Sequence, residues 1–372
     1  MSDKNDSQFG QGPQDERQWL DGDGTEVEAE GAIVEPTVSL DVLLTQLISD
    51  AELPPLQELY ALSDLSRSEM EAVRRSWSAV PAERRLQIVR ILVEVAEEDL
   101  NLHLSRLLRI AMADSEAQVR QAAVEGLWED NDPSLIGPYV QMLHGDPDVE
   151  VRSAVASALG TFVLSGELEE LEPALAMRVE EALLAVLHDE REPVDVRRRA
   201  LESIAYSSEA GVQQLIEDAY YAPDEDMRIS SLTAMGRSAD IRWRGFAHAE
   251  LQNPSAAMRV EAAWACGELE ARSALDDLLA LLDDEEQDVR LSSIMALGRM
   301  GGREARDALE TIYAGENPDE SMAAELALEE MAYYAGHEDV PLLDESEAED
   351  EWEHDPWDSF FDRDDRDLGS YE

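Results

Sequence analysis

The sequence has little cysteine, lysine or aromatic residue, and these shortages exclude several classes of protein. Cys266 is the only cysteine among 372 residues, so neither an intrachain disulfide nor a metal site built from several thiolates can form. Lys4 is the only lysine, and the formal net charge of −56 repels nucleic acid and anionic membranes. No apolar run approaches the roughly 18 residues of a membrane span, and the N-terminus has no apolar signal-peptide core. We therefore expect a cytoplasmic protein with no nucleic-acid and no membrane partner.

Acidic residues dominate both ends of the chain. Residues 1–36 hold 10 acids against 2 bases, and residues 338–372 hold 16 against 2. Such an excess of negative charge favours a basic protein partner, because attraction between opposite charges steers association. Solubility in a crowded or saline cell explains the same composition, and the sequence does not decide between the two.

A short pattern recurs through the middle of the chain. Its clearest copy, residues 288–298, reads Asp-Val-Arg-Leu-Ser-Ser-Ile-Met-Ala-Leu-Gly. Successive arginines of the pattern are commonly 31 or 32 residues apart, and a fixed period of this size predicts stacked repeats. The arginines are Arg120, Arg152, Arg197, Arg228, Arg259 and Arg290. The spacing from Arg152 to Arg197 is wider, and the excess at residues 161–173 extends a helix or adds an acidic loop.

Each copy of the pattern has the periodicity of a helix. On a wheel of 100° per residue its small side chains cluster on one side, where they permit a second helix to approach closely. The closing glycine is expected to be a C-cap. A turn with proline or acid precedes each copy, and an apolar amphipathic stretch precedes each turn, so the unit is helix, turn, helix. The predicted fold class is all-α, an α-solenoid.

This unit resembles the HEAT repeat, in particular the bacterial type found in phycobilisome-lyase-like proteins. The resemblance covers residues 114–336, with six good units and a degenerate seventh in which Met322 replaces the arginine. It implies a right-handed superhelix of helix pairs whose motif helices line the concave face. It also implies that each motif arginine reaches an acid of a neighbouring turn, so the six arginines are expected to form a structural ladder.

The regions outside the array differ in composition. We predict a disordered acidic segment at residues 1–36 and a divergent helical N-terminal cap at 37–113, where Ser66 and Glu69 have the spacing of a capping box. Residues 337–372 are predicted to be a disordered acidic tail. The tail contains costly exposed aromatics, which indicate either a linear binding segment or a plain solvated tail.

No motif for catalysis is present. The His-Glu dipeptides that bind iron in deoxyhypusine hydroxylase, another HEAT-like family, are represented only by His337-Glu338, beyond the array. Neither a phosphate-binding glycine loop nor a G-x-S-x-G elbow is present. We expect Cys266 to be buried and inert, and we predict a non-catalytic monomer without metal or cofactor.

The predicted function is that of a scaffold or adaptor that binds a protein partner through its concave face. Positions two, five and six after the motif valine or methionine point away from the packing side, and their polarity falls along the array. The predicted partner-binding residues in the array are Ile229, Leu232, Val260, Trp264, Leu291, Ile294 and Met295, and those in the tail are Trp352, Trp357, Phe360 and Phe361. Alternatively, adjacent helices cover the array residues. Two other functions stay open: an accessory of chromophore attachment, as in the lyase-type repeat proteins, and an acidic decoy for a nucleic-acid-binding protein.

Overall fold

The computed structural model describes residues 37–49, 52–99 and 101–338. Every regular element in these ranges is an α-helix or a short 3-10 helix, which confirms the predicted all-α class. The chain divides into two compact units, with the boundary between Ile110 and Ala111. The predictions for residues 1–36 and for the tail aromatics Trp352, Trp357, Phe360 and Phe361 lie outside the described residues.

The first unit is built from short helices with a leucine-rich core. Its helices are α1 (Leu40–Ser49), α2 (Leu56–Leu59), α3 (Arg67–Trp77) and α4 (Ala82–Glu98), and α5 (Ser105–Ala111) ends at the unit boundary. The predicted capping box forms at the start of α3: the Glu69 amide donates to Ser66 Oγ at 3.3 Å, and the Ser66 amide donates to Glu69 Oε2 at 2.8 Å. Leu43, Leu59 and Leu62 are fully buried.

The second unit consists of motif helices that alternate with partner helices. The motif helices are α6 (Ala117–Glu125), α8 (Val149–Glu167), α10 (Val194–Ile204), α12 (Glu225–Arg237), α14 (Ala256–Glu268), α16 (Gln287–Met300) and α18 (Pro318–Glu338). The partner helices are α7 (Ile136–Gly145), α9 (Pro173–His188), α11 (Ala210–Tyr220), α13 (Arg244–Ala249), α15 (Leu275–Leu281) and α17 (Arg303–Tyr313). Each motif helix packs against the next motif helix and against the partner helix that precedes it in sequence. This stacking of helix pairs confirms the predicted solenoid.

The glycine that closes the motif lies inside its helix, so the expected C-cap role is wrong. The glycines concerned are Gly160, Gly236, Gly267 and Gly298. A Cβ at Gly267 would lie 2.8 Å from the Cα of Ala296, and a Cβ at Gly298 would lie 2.8 Å from the Cβ of Ala327. Gly267 and Gly298 therefore lie in close contact with the backbone of the next motif helix.

The left-handed residue that ends three of these helices follows the glycine by three positions. Ala239, Glu270 and Gly301 have φ angles of 51°, 47° and 64°. An L side chain in this conformation costs roughly 1–2 kcal/mol, which only Gly301 avoids. The repeated glycine of the motif therefore lies at the contact between helices. The left-handed turn lies three residues later, where the residue can be alanine, glutamate or glycine.

The wider spacing between Arg152 and Arg197 lengthens one helix. α8 continues to Glu167 and has 19 residues, whereas α6 has 9. Glu169 then adopts a φ of 59°, and α9 begins at Pro173. Of the two expected outcomes, the extra residues mainly extend the helix.

Candidate partner-binding face

Four of the six motif arginines reach an acid of the following turn. Arg259 makes a bidentate pair with Asp284, in which Nε and Nη2 each donate over 2.8 Å, and the two side chains are only 11% and 10% exposed. Arg120 pairs with Asp146 in the same bidentate way. Arg152 and Arg290 pair through Nε alone, with Glu192 and with Glu320 in the first turn of α18. Arg259 Nη1 also donates to the carbonyl of Asn253, six residues earlier in its own turn, at 2.9 Å. Arg259 thus connects the turn that precedes its own helix to the turn that precedes the next motif helix.

Arg197 and Arg228 interrupt this ladder. Asp146 and Asp284 each precede a motif arginine by six residues, and the equivalent positions facing Arg197 and Arg228 hold Ala222 and Asn253. Neither residue supplies a negative charge. Arg197 Nε donates instead to the carbonyl of Leu187 at 3.2 Å. Arg228 donates to the carbonyl of Ala222 at 3.1 Å, so it closes its own turn without the neighbouring acid.

Two of the predicted partner-binding residues are buried. Leu232 is 0% exposed and Ile294 is 1% exposed, so neither side chain can line a surface. Both occupy the fifth position after the motif residue, which is buried in all six copies that carry the arginine. The reason is that a motif helix has several neighbours: α12 packs against α10, α11 and α14. Contacts on three sides widen the buried stripe, and the expected exposure of this position is wrong.

On α12, α14 and α16, the second and sixth positions after the motif residue stay partly exposed, so the exposed apolar surface is narrower than predicted. We call the five half-buried apolar residues on α12, α14 and α16 the apolar strip; they are Ile229, Val260, Trp264, Leu291 and Met295. A Cβ at Gly236 would lie 2.5 Å from Cζ3 of Trp264, so the indole rests on α12 where glycine leaves room. Trp264 is therefore held by the neighbouring helix and still presents part of its ring.

Carboxylates lie beside the apolar strip, and sequence reasoning did not assign them a role. Glu202 is 3% exposed and accepts hydrogen bonds from Ser230 Oγ at 2.5 Å and from Arg199 Nη1 at 2.7 Å. Glu261 accepts from Thr233 Oγ1 at 2.9 Å. Burial raises the pKa of Glu261, and the hydrogen bond from Thr233 only partly opposes it. Glu202 stands at the sixth position of its copy, where the sequence offered a signal; Glu261 stands at the third position, which the helical wheel assigns to the packing side.

Cys266 has the predicted inert environment. It is fully buried in α14, and burial, followed by the charge of Asp277, raises the pKa of its thiol to about 12. Such a thiol is almost entirely protonated at neutral pH and is a weak nucleophile.

In the described part of the chain, no group of three or more His, Cys, Asp or Glu side chains is arranged to hold a metal ion. None of the described helices combines the length and apolar character needed to cross a bilayer.

Stacked helix pairs, a repeating arginine link and close glycine contacts together define an α-solenoid repeat protein. The family model for HEAT repeats matches residues 104–182 and 246–329. These two ranges are HEAT repeats, and the first begins ten residues before the predicted start of the array. The predicted bacterial, lyase-like subtype stays a prediction.

No curated protein matches the chain. Among solved structures it is similar to YibA of Escherichia coli, with 17% identity and a TM-score of 0.41 over 76% of this chain and 98% of that one. Yeast importin-β gives 13% identity and a TM-score of 0.45 over 83% of this chain and 47% of that one. Human deoxyhypusine hydroxylase in complex with glycerol gives 17% identity and a TM-score of 0.32 over 72% and 96%. These low values carry no statement about the activity of the chain.

Proposed function

We propose that this protein is a non-catalytic scaffold or adaptor that binds a protein partner on its motif helices. The observation that carries the proposal is the apolar strip, which crosses three neighbouring helices and contains a tryptophan. Aromatic residues held by neighbours are favoured anchors of protein interfaces, because their conformational entropy is already reduced. In the proposal the strip supplies the anchor, and the predicted concave face is the surface on which it lies.

The charge of the surroundings indicates the chemistry of the partner. Glu125, at the sixth position of the first copy, is exposed, Glu261 is half-buried beside Thr233, and the whole chain carries −56. A partner with apolar side chains and flanking lysine or arginine would satisfy both features, since complementary charge raises association rates. The proposal also includes the predicted cytoplasmic, monomeric state.

Replacing Trp264 by alanine tests the proposal. We expect the variant to lose partner proteins that the wild-type chain captures from native lysate, as identified by mass spectrometry. Trp128→Ala is the matched control, because Trp128 is 61% exposed in the same unit and lies outside the strip. Equal capture by Trp264→Ala and wild type would exclude the strip as the binding surface.

Folding must be separated from binding in this test. The Trp264 ring contacts Gly236, so its removal also costs packing energy. The midpoint of urea unfolding is therefore measured for each variant, and Trp264→Phe serves as a milder change. Loss of capture by a variant that unfolds at lower urea would place Trp264 in the core.

The alternative role in chromophore attachment and the decoy role have no structural observation in their favour. A visible absorption band in the purified protein would support the first. Dissociation of the captured partner at high salt would support the second, because counterion screening weakens charge pairing far more than apolar contact.

A further inference from the structure

A cavity of about 1050 Å³ lies at the ends of the motif helices in the last repeats. It is bordered by the C-terminal turns of α14 and α16, by the later part of α18 and by the beginning of α17. Leu275, Met300 and Met331 provide its apolar wall, and the basic side chains around it are Arg272, Arg299, Arg303 and Arg306.

The arginines around this cavity differ in how they are neutralised. Arg299 pairs with Glu268, and its Nε lies 3.3 Å from Glu330 Oε1. Arg303 is 92% exposed, and its nearest carboxylate, on Asp307, is 3.9 Å away and itself exposed. Such a pair contributes little in water.

Arg272 and Arg306 form no ion pair with any described residue, so they and Arg303 remain available to a ligand. With Glu268, Glu270 and Glu330 included, the cavity lining carries four positive and three negative side chains. This local excess of positive charge stands in a chain of net charge −56.

The backbone adds to the positive character of the cavity. α17 has 11 residues and begins at Arg303 after Gly302, which offers no side chain to cap the first turn. Gly301 and Gly302 both have positive φ and both line the cavity. The free amides of a helix start carry partial positive charge, which favours an acidic group there.

The chain itself supplies a segment with the matching chemistry. Met331 lines the cavity, and α18 ends seven residues later at Glu338, about 10 Å further along the helix axis. Residues 339–372 contain 15 acids against 2 arginines, and the aromatic residues among them include Trp352, Trp357, Phe360 and Phe361. The 14 residues between Glu338 and Trp352 can span at most about 46 Å, which is ample for a return to the cavity.

We infer that the cavity binds the acidic aromatic segment 351–361 of the same chain. Its carboxylates would pair with Arg272, Arg303 and Arg306, while its rings would contact Met300 and Met331. Arginine stacks on aromatic faces and methionine sulfur packs favourably against them. Because the segment is tethered, its effective concentration is on the order of millimolar, and a weak intrinsic affinity suffices. The inference does not depend on the partner-binding proposal.

Hydrogen exchange on the full-length chain, followed by mass spectrometry, tests this inference. In the wild type we expect the amides of residues 351–361 to exchange about 10-fold more slowly than in a free peptide of the same sequence. That factor corresponds to a tether near 1 mM and an intrinsic Kd near 0.1 mM. The protection should disappear in Arg303→Glu/Arg306→Glu and should weaken as salt rises.

The control variant is Arg178→Glu/Arg191→Glu. It makes the same charge change at two exposed positions of the same unit, away from the cavity. Its segment 351–361 should keep the wild-type protection. Arg303→Glu alone, at a 92% exposed side chain, guards against a folding defect and should lose most of the protection.

Three outcomes would overturn the inference. The wild-type segment could exchange at the rate of the free peptide. The protection could persist in the Arg303→Glu variants. It could also rise with protein concentration, which would show that the segment binds a second copy of the chain.

Discussion

Gly298→Ala is expected to destabilise the second unit, although alanine is the better helix former. A Cβ at Gly298 would lie 2.8 Å from Cβ, 2.9 Å from Cα and 2.9 Å from O of Ala327. Two of these atoms belong to the backbone of α18, so the contact can be relieved only if α16 and α18 move apart.

The magnitude follows from two opposing effects. Replacing glycine by alanine in a helix gains about 1 kcal/mol of helix propensity. Overpacking a close contact costs about 1–3 kcal/mol. We therefore expect a net loss of about 1 kcal/mol in the free energy of unfolding, and the same sign for Gly267→Ala, whose Cβ would lie 2.8 Å from the Cα of Ala296.

Gly211→Ala is the matched control. Gly211 lies in α11, and a Cβ added there meets nothing within 4 Å. This variant should gain about 0.5 kcal/mol, since only the propensity effect remains and it is smaller at the second residue of α11 than inside a helix. Urea unfolding followed by circular dichroism measures both variants, and an unchanged m value shows that the same surface unfolds. If Gly298→Ala is as stabilising as Gly211→Ala, the close-approach explanation of the repeat glycines is refuted.

Two further predictions concern the arginine ladder and the left-handed turn. Arg259→Met should cost about 2 kcal/mol more than Arg228→Met in urea unfolding, because only Arg259 leaves a largely covered carboxylate unpaired. The hydrogen bond from Arg259 lowers the pKa of Asp284, so the stabilisation is complete above the unfolded pKa of about 3.9 and is lost as pH falls through the lower folded value. The excess stability of wild type over Asp284→Asn should accordingly vanish in acid, and a constant difference from pH 7 to pH 2 would contradict the linkage. Gly301→Ala should lower the free energy of unfolding by about 1 kcal/mol, whereas Ala239→Gly should not lower it, because both residues have positive φ, which glycine adopts without strain. Equal losses of stability in thermal melts of the two variants would contradict this explanation.

Much of the fold could be predicted because the repeat signals are local. The Arg290 copy of the motif, read on a helical wheel, predicted the helix and its partner, and the Ser66–Glu69 spacing predicted the cap of α3. For Arg120 and Arg259 the partner acid also stands at a fixed sequence position, six residues before the next arginine, whereas the acids that pair with Arg152 and Arg290 stand elsewhere, at Glu192 and Glu320. Reading that position predicts the links of Arg120 and Arg259, and its alanine and asparagine replacements predict the interruption.

The exposure of the candidate site was harder to predict. A wheel shows that the fifth and sixth positions, held by Leu232 on α12 and by Trp264 on α14, share one side of a motif helix, but it does not show how many helices lie against that side. In an array each motif helix has a neighbour before it, a neighbour after it and a paired helix. The fifth position is consequently buried, and whether the sixth remains half-exposed depends on the neighbouring helix, as Gly236 of α12 under the Trp264 ring demonstrates. These are properties of the stack and not of one helix.

The interruption of the ladder coincides with the buried carboxylates. The two junctions without an arginine–acid link are α10 with α12 and α12 with α14. At the first, Glu202 of α10 accepts from Ser230, and its carbonyl accepts from Arg237 Nη1 at 3.0 Å. At the second, Thr233 of α12 donates to Glu261. Here the polar connection between repeats lies between the motif helices themselves, beside the apolar strip. A partner that contacts the strip would therefore also contact the groups that join these repeats, whereas at the other four junctions a motif arginine near the start of its helix also supplies a link.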